Sequence, residues 1–141
     1  MRNLNDEYFL GVGKLLGASP DASRQKFSVF IAHKDRHGVE IQNIDTWIRT
    51  ALAVLSRAGG GATSDRVTGA WLNPEGVLIE EPTSIVYTYI GPERLETTMP
   101  TVRRFLHDYG RETEQGEVAV LLEGADEKWF FRIDSFDTAC R

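Results

Sequence analysis

The sequence has a single cysteine, no clustered positive charge and no long apolar run. Cys140 is the one cysteine among 141 residues, which excludes an internal disulfide and leaves no cysteine partner for a zinc site. No apolar run approaches the roughly 20 residues that span a bilayer. The N-terminal segment carries Asp6 and Glu7, and glycines break its apolar run, unlike a signal peptide. We therefore expect a cytoplasmic protein that has no membrane partner.

The charge balance argues against a nucleic-acid partner. The net charge is −5, and basic residues gather no further than the pair Arg103 and Arg104. Nucleic-acid affinity depends mainly on clustered positive charge. The spacing Gly11, Gly13, Gly17 is close to a dinucleotide loop but follows no strand. We interpret these glycines as sites of close helix packing, and we predict no cofactor.

Length and pattern indicate three parts: a helix with a linker over 1–25, one domain over 26–136 and a tail over 137–141. On folding, a chain of this size buries roughly two thirds of the surface that it exposes when unfolded, so its core needs no disulfide or metal to stabilise it. The spacing of Leu4, Tyr8, Val12 and Leu15 predicts a helix over 4–16.

The domain reads as strand, helix, hairpin, helix, hairpin. A strand over 27–32 precedes a helix that Asn43 or Asp45 begins and Gly59 to Gly61 end. The turn over 73–76 joins strands at 67–72 and 77–90, with a bulge or an unpaired stretch predicted at Pro82. A second helix has Pro100 in its first turn and Gly110 after its last. The final hairpin pairs 117–122 with 128–133.

This order matches the ferredoxin-like (split βαβ) arrangement, an α+β fold with two helices on one face of an antiparallel sheet. The handedness of the βαβ crossover places the third strand between the first and second, the fourth beside the first, and the fifth outermost. Other α+β connections remain open.

The first candidate ligand site is the segment from Gly59 to Arg66, which joins the first helix of the domain to the next strand and which we call the glycine junction. In the predicted fold Gly60, Gly61, Thr63, Ser64 and Arg66 lie near the start of the second helix. Glycine N–H groups, hydroxyls, a guanidinium and a helix N-terminus favour a phosphate or a carboxylate. The alternative, which we prefer, is that the glycines only end a helix and permit close packing.

His33, Glu80 and Glu81 are weaker candidates, for catalysis. His33 and His37 are four apart, but on a loop, so solvated charge is a better interpretation than a metal site. Glu80 and Glu81 interrupt an apolar strand, where a carboxylate can have a raised pKa, but we favour a solvent-facing bulge. The pattern predicts that His107 lies at the surface.

Aromatic residues exceed what two small helices can cover. We expect some of them on the free face of the sheet, where they would meet a second subunit or enclose an apolar ligand. The residues concerned are Trp71, Tyr87, Tyr89, Trp129, Phe130 and Phe131.

Four short segments over residues 59–122 carry a family resemblance. They are Gly61-Ala62-Thr63, Gly69-Ala70-Trp71, Glu81-Pro82-Thr83 and Gln115-Gly116-Glu117-Val118. The pattern resembles small uncharacterised bacterial proteins assigned to domains of unknown function. The resemblance implies a compact α+β domain and supplies no reaction.

We therefore predict a homodimeric binding or interaction module whose partner is a small anionic molecule or another protein. The alternative is a small enzyme with a pocket at the sheet face or dimer interface, in which Glu80, Glu81 or His33 carries a proton. A third possibility is a structural partner protein without a ligand.

Overall fold

The computed structural model describes residues 4–19 and 25–139. Three helices and five strands follow one another as α1 (Leu4–Leu15), β1 (Gln25–Ala32), α2 (Ile44–Gly59), β2 (Thr63–Leu72), β3 (Leu78–Ile90), α3 (Pro92–Glu112), β4 (Val118–Glu123) and β5 (Lys128–Ile133). The strands form one sheet in the order β2-β3-β1-β4-β5, with every neighbouring pair antiparallel. The predicted ferredoxin-like fold and its strand order are confirmed.

The core lies between one face of the sheet and the two helices α2 and α3. Val29 and Ile31 of β1 and Val86 of β3 are almost fully buried beneath Leu55 of α2 and Val102 of α3. Because side chains alternate along a strand, their sequence neighbours point to the other face, which has no helix over it. We call these the helix face and the open face.

Aromatic contacts hold the two helices together. The Trp47 ring of α2 meets the rings of Tyr109 and Phe105 of α3 with centroids 5.7 and 6.1 Å apart. The Tyr109 hydroxyl donates to the carbonyl of Ala32 at the end of β1. This contact fixes the end of α3 against the end of β1.

The predicted bulge at Pro82 is wrong, because β3 runs through the proline without interruption. Pro82 lies opposite Thr68, and its carbonyl accepts the N–H of His33. The proline cannot return a hydrogen bond to the His33 carbonyl, but that carbonyl accepts the N–H of Ile41 instead. The missing donor therefore leaves no orphaned acceptor.

Helix boundaries also differ from the prediction. α3 begins at Pro92, eight residues before Pro100, and continues through Gly110 to Glu112. Gly110 allows the Phe136 ring to approach α3, since a Cβ there would overlap the ring. At α2 the Asn43 side chain makes no capping hydrogen bond, and its carbonyl accepts from Thr46 and Trp47.

The predicted helix at the N-terminus is confirmed as α1, but its glycines do not pack closely. A Cβ at Gly11 or Gly13 would meet no other atom within 4 Å among the described residues. The side chains of Tyr8, Phe9, Val12 and Leu15 in this helix are exposed to solvent.

Candidate functional site

A cleft of about 760 Å³ opens on the open face, at the end of the sheet where β1 terminates. The hairpin of β2 and β3 extends past the end of β1 and forms one wall, because β1 ends opposite Thr83. The loops that follow β1 and α3 form the other wall. We call this the open-face cleft, and its lining comprises Phe30, Ala32, Asp35, Arg36, residues 67–71, Glu81, Thr83, Ile85, Gln115, Gly116, Glu117 and Ala119.

The floor of the cleft is apolar and partly aromatic. Phe30 and Ile85 lie opposite each other on neighbouring strands, and the Phe130 ring meets Phe30 edge to face at 6.0 Å. Trp71 stands on the hairpin wall with 48% of its surface exposed. An indole held this way offers a flat surface on which a heterocyclic ring can stack.

Glu81 provides a carboxylate in these apolar surroundings. It is half-buried, and among the described residues no side chain or N–H forms a hydrogen bond or ion pair with its carboxylate. Burial raises the pKa of Glu81, and the positive charge of Lys34 opposes the rise. A half-buried carboxylate that lacks a hydrogen-bond or ion-pair partner among the described residues is unusual in a folded protein.

Glu80 is separated from Glu81 by the alternation of the strand. It lies opposite Ala70, is exposed, and points to the helix face. The two adjacent carboxylates therefore lie on opposite faces of the sheet, and of the two only Glu81 lines the cleft.

Hydrogen bonds hold the two loops of the second wall together. The Gln115 side-chain amide donates to the Lys34 carbonyl at 3.0 Å and to the Thr113 hydroxyl at 3.2 Å. The Arg36 N–H donates to the Glu114 carbonyl at 3.1 Å. Gln115 is nearly buried, so this wall is fixed before any ligand arrives.

Three of the four segments that carry the family resemblance meet around this cleft. They are Gly69-Ala70-Trp71, Glu81-Pro82-Thr83 and Gln115-Gly116-Glu117, which come from the hairpin and from the loop before β4. The fourth, Gly61-Ala62-Thr63, lies at the start of β2, at the other end of the strands from the cleft. The sequence pattern did not reveal this convergence, because it depends on how far the β2–β3 hairpin extends past β1 and on the hydrogen bonds of Gln115.

The glycine junction has the packing role that we preferred. Gly60 ends α2 with φ +92° and donates its N–H to the Ser56 carbonyl at 2.7 Å. A Cβ at Gly59 would overlap the Thr88 hydroxyl and lie 2.8 Å from the Tyr89 carbonyl oxygen. Thr88 in turn donates its hydroxyl to the Gly61 carbonyl.

The other residues of the predicted anion site diverge. Thr63 lies opposite Tyr87 on the open face, whereas Ser64 lies opposite Val86 on the helix face. The positive charge of Arg66 lowers the pKa of His33, which follows the far end of β1. The start of α3 does meet the last turn of α2, since Arg94 donates to the Arg57 carbonyl. An anion site at this junction stays a prediction.

His33 belongs to a small polar cluster on the helix face. Its Nε2 lies 2.7 Å from the Ser84 hydroxyl, and Ser84 is buried in the sheet. Burial lowers the pKa of His33, Arg66 lowers it further, and Asp45 opposes both. His33 therefore packs against a serine that is itself buried, away from the open-face cleft.

The two histidines of the loop after β1 do not converge. The His37 Nε2 accepts a hydrogen bond from the Arg36 guanidinium at 3.3 Å, while His33 faces Ser84. Within residues 4–19 and 25–139, no group of three or more metal-binding side chains comes together.

The prediction for His107 is wrong, because this side chain is buried with 7% exposed. Its Nδ1 accepts the N–H of Asp137 at 2.7 Å, and the Phe136 ring meets it edge on. The helical pattern of α3 misplaced it, since the segment after β5 covers this flank of the helix.

Comparisons with known proteins add a likeness in fold. No family model and no curated protein matches the chain, in agreement with a resemblance that supplied no function. A phage SAM lyase in complex with S-methyl-5'-thioadenosine is similar, with a TM-score of 0.60 at 11% identity over 83% of this chain and 94% of that chain. The apo state of a phage SAM lyase has a TM-score of 0.57 at 12% identity over the same shares.

A Bacillus cereus protein related to NIF3 has a TM-score of 0.40 at 16% identity, over 83% of this chain and 31% of its own. At these identities the likeness to the lyase structures concerns the fold alone. Separately, no helix in the described part of the chain is long and apolar enough to cross a membrane.

Proposed function

We propose that the chain is a small-molecule binding domain whose site is the open-face cleft. The observation that carries the proposal is Glu81, a half-buried carboxylate in an apolar, aromatic cleft, with no hydrogen bond or ion pair to any residue that the structure describes. A cation within the cleft would gain a strong interaction with this carboxylate, because water there is partly excluded.

The chemistry of the cleft favours a ligand that joins a flat ring to a positive charge. Trp71 offers the stacking surface, and Glu81 offers the counter-charge. At the rim Asp35 adds a negative charge and Arg36 a positive one, while Glu117 is paired with the Arg132 guanidinium at 3.8 Å. The similar phage lyase acts on SAM and was solved with S-methyl-5'-thioadenosine, so these two molecules are suitable probes.

The two probes share the adenosine group, but only SAM carries a sulfonium, together with an α-ammonium and an α-carboxylate that leave it with a net positive charge. We expect SAM to bind more tightly than S-methyl-5'-thioadenosine in calorimetric titrations of the purified protein. Glu81→Gln should weaken SAM binding at least tenfold, which corresponds to the loss of a hydrogen-bonded or paired charge. The matched control is Glu80→Gln, which removes the same charge from the opposite face.

Two outcomes would contradict this assignment. One is binding of SAM that Glu81→Gln leaves unchanged, and the other is equal weakening by both substitutions, which would reflect only the total charge. If inorganic phosphate binds instead, and Gly60→Ala with Gly61→Ala removes that binding, the ligand site is the glycine junction.

A second candidate function is an enzyme in which Glu81 carries a proton. The raised pKa of Glu81 favours it, because a general acid or base works best when its pKa approaches the working pH. Incubation with SAM followed by mass spectrometry tests this candidate. Release of S-methyl-5'-thioadenosine that Glu81→Gln abolishes would support an enzyme. Quantitative recovery of SAM would contradict this candidate and support binding without catalysis.

A further inference from the structure

The side-chain amide of Gln115 has a single possible orientation in the wall of the open-face cleft. Its Nε2 donates to the Lys34 carbonyl and to the Thr113 hydroxyl. A carbonyl oxygen can only accept, so the amide atom that faces Lys34 is the nitrogen. The Thr113 hydroxyl uses its own hydrogen on the Tyr109 carbonyl at 2.6 Å, so it too accepts from Gln115. Both hydrogens of the amide are therefore engaged, and Oε1 is the atom left for another contact.

The Oε1 of Gln115 is accessible from the cleft. It accepts no hydrogen bond from any residue that the structure describes. Among those residues, the Oε1 of Gln25 is the one side-chain polar atom that is both fully buried and without a partner. The Oε1 of Gln115 therefore meets solvent, although only 9% of the residue is exposed. Because Gln115 lines the open-face cleft, this oxygen is an acceptor for a ligand there.

Glu81 lies beside Gln115 at the end of β1. The hydrogen bond from the His33 N–H to the Pro82 carbonyl continues the register of β1 and β3 past the end of β1. The next residue, Lys34, therefore lies opposite Glu81, and Gln115 donates to the carbonyl of the same Lys34. A carboxylate and an amide oxygen thus flank one residue, and both of their side chains line the cleft.

The other two carboxylates of the cleft already bind groups of the protein. The Asp35 Oδ1 accepts two backbone N–H groups of its own loop at 2.8 and 3.0 Å. Glu117 faces the Arg132 guanidinium at 3.8 Å. Glu81 therefore supplies the carboxylate that no described group binds, and Gln115 adds a neutral acceptor next to it.

A carboxylate beside an amide oxygen suits a cation that carries N–H groups. A primary ammonium has only hydrogen-bond donors, and its bonds to a carboxylate are strengthened by the charge. A sulfonium or a quaternary ammonium has no N–H and is bound instead against aromatic faces. We propose that Glu81 and Gln115 together bind a primary ammonium of the ligand and select it over a cation without N–H groups, a proposal that rests on the proposed function of the cleft.

The spacing between the stacking surface and the acceptors suggests matched probes. Trp71 lies opposite Ile79, and Glu81 follows two residues later, about 7 Å along the hairpin. This spacing is comparable to that between the base and a 5' substituent of a nucleoside. 5'-Amino-5'-deoxyadenosine and 5'-deoxy-5'-(dimethylsulfonio)adenosine have the same ring and the same single positive charge near neutral pH. They differ in that only the first cation carries N–H groups.

Titration calorimetry of the full chain with these two probes tests the proposal. We expect the wild type to bind the ammonium probe at least tenfold more tightly than the sulfonium probe, as expected for hydrogen bonds to a charged group. Glu81→Gln should weaken both probes, because it removes the charge. Gln115→Met keeps the size of the side chain but removes the acceptor, so it should weaken the ammonium probe at least fivefold and the sulfonium probe less than about twofold.

Thr113→Val is the matched control for the wall of the cleft. It removes one hydrogen bond of the Gln115 amide but leaves Oε1 and the bond to Lys34 in place. The ratio of the two dissociation constants should therefore stay within about twofold of the wild-type ratio. The comparison of the two probes on the wild type needs no substitution, so it decides the preference even if Gln115→Met fails to fold.

Equal binding of the two probes by the wild type would overturn the ammonium preference, and weakening of both by Glu81→Gln would still support the proposed function. If SAM binds as proposed above but neither probe does, the ammonium assignment is overturned while the proposed function stands. If SAM also fails to bind, the proposed function itself fails. Equal weakening of both probes by Gln115→Met, or loss of the preference in Thr113→Val, would give Gln115 a structural role alone and overturn the assignment.

Discussion

Three consecutive glycines end α2, and each has a different structural role. Gly59 lies against Thr88 and the Tyr89 carbonyl, where no Cβ fits. Gly60 has a positive φ that favours glycine, whereas Gly61 has open space around it and no positive φ. Because the three positions differ in this way, substituting them one at a time separates the effect of close packing from the effect of backbone conformation.

Alanine substitutions at the three glycines should separate these roles. Gly59→Ala should lower the free energy of unfolding by about 1–3 kcal/mol, the cost of overpacking, and Gly60→Ala by about 1–2 kcal/mol through the left-handed backbone. Gly61→Ala should change it by less than about 0.5 kcal/mol. Urea unfolding monitored by fluorescence measures all three, and equal effects at the three positions would contradict these roles.

The pKa of Glu81 gives ligand binding a pH dependence with a definite sign. A carboxylate attracts a cation only when it is ionised, so SAM binding should weaken as the pH falls through the raised pKa of Glu81. The loss should begin at a higher pH than for an ordinary glutamate and should be absent in Glu81→Gln. Titration calorimetry between pH 4 and 8, in steps of about one unit around the ordinary glutamate pKa, measures it.

The sign for folding without ligand is the opposite. A raised pKa in the folded state means that the folded state binds this proton more tightly, so the contribution to stability is present below the ordinary pKa and is lost as the pH rises through the raised one. Glu81→Gln removes this loss, and solvent screening limits the gain at neutral pH to about 0.5 kcal/mol or less. A destabilised Glu81→Gln would contradict this picture of the site.

At this scale the sequence was informative about residue types and less so about their surroundings. Its position in an apolar strand made Glu81 a candidate. Because side chains alternate along a strand, Glu80 and Glu81 point to opposite faces of the sheet, but the break expected at Pro82 obscured this alternation. His107 could not be identified as buried, because the segment that covers it lies 30 residues further along the chain.

At the scale of elements, the segment after β5 closes over the flank of α3. The Phe136 ring sits in the space that Gly110 leaves, and Asp137 binds Arg103 through both carboxylate oxygens at 2.8 and 3.0 Å. Arg111 donates to the Asp137 carbonyl. The packing of Phe136 should contribute more than the ion pair, because Arg103 and Asp137 are both largely exposed.

Phe136→Ala should therefore lower the free energy of unfolding by about 2 kcal/mol, less than a fully buried phenylalanine because Phe136 is only partly buried. Asp137→Asn is the control and should have a much smaller effect. Gly110→Ala expels the same ring, so the double variant should be less destabilised than the sum of the two single variants. Additive effects in denaturant unfolding would show that the ring and the glycine act separately.

Element boundaries were the least predictable feature of the chain. Pro82 indicated a break in its strand and Pro100 the start of a helix, yet β3 passes through Pro82 and α3 through Pro100. In β3 the compensation comes from Ile41, which is distant in sequence and supplies the N–H that the His33 carbonyl needs. Local preference predicted the break at Pro82, and tertiary hydrogen bonding overrode it.

At the scale of the whole molecule, the order of elements was sufficient to derive the strand order. A βαβ crossover has one common handedness, so few arrangements fitted, and the one derived is the one observed. The open-face cleft could not be derived in the same way. It depends on how far the β2–β3 hairpin extends past β1 and on the bonds of Gln115, which are lengths and contacts that a pattern does not encode.

The most direct test of the open-face cleft as the ligand site is an NMR titration of isotopically labelled protein with SAM. We predict that the largest backbone amide shifts cluster at Gly69 to Trp71, around Glu81 and Thr83, and from Gln115 to Ala119, with none at the glycine junction or along α3. Shifts centred on Gly60 and Thr63, or no shifts at saturating SAM, would contradict the account.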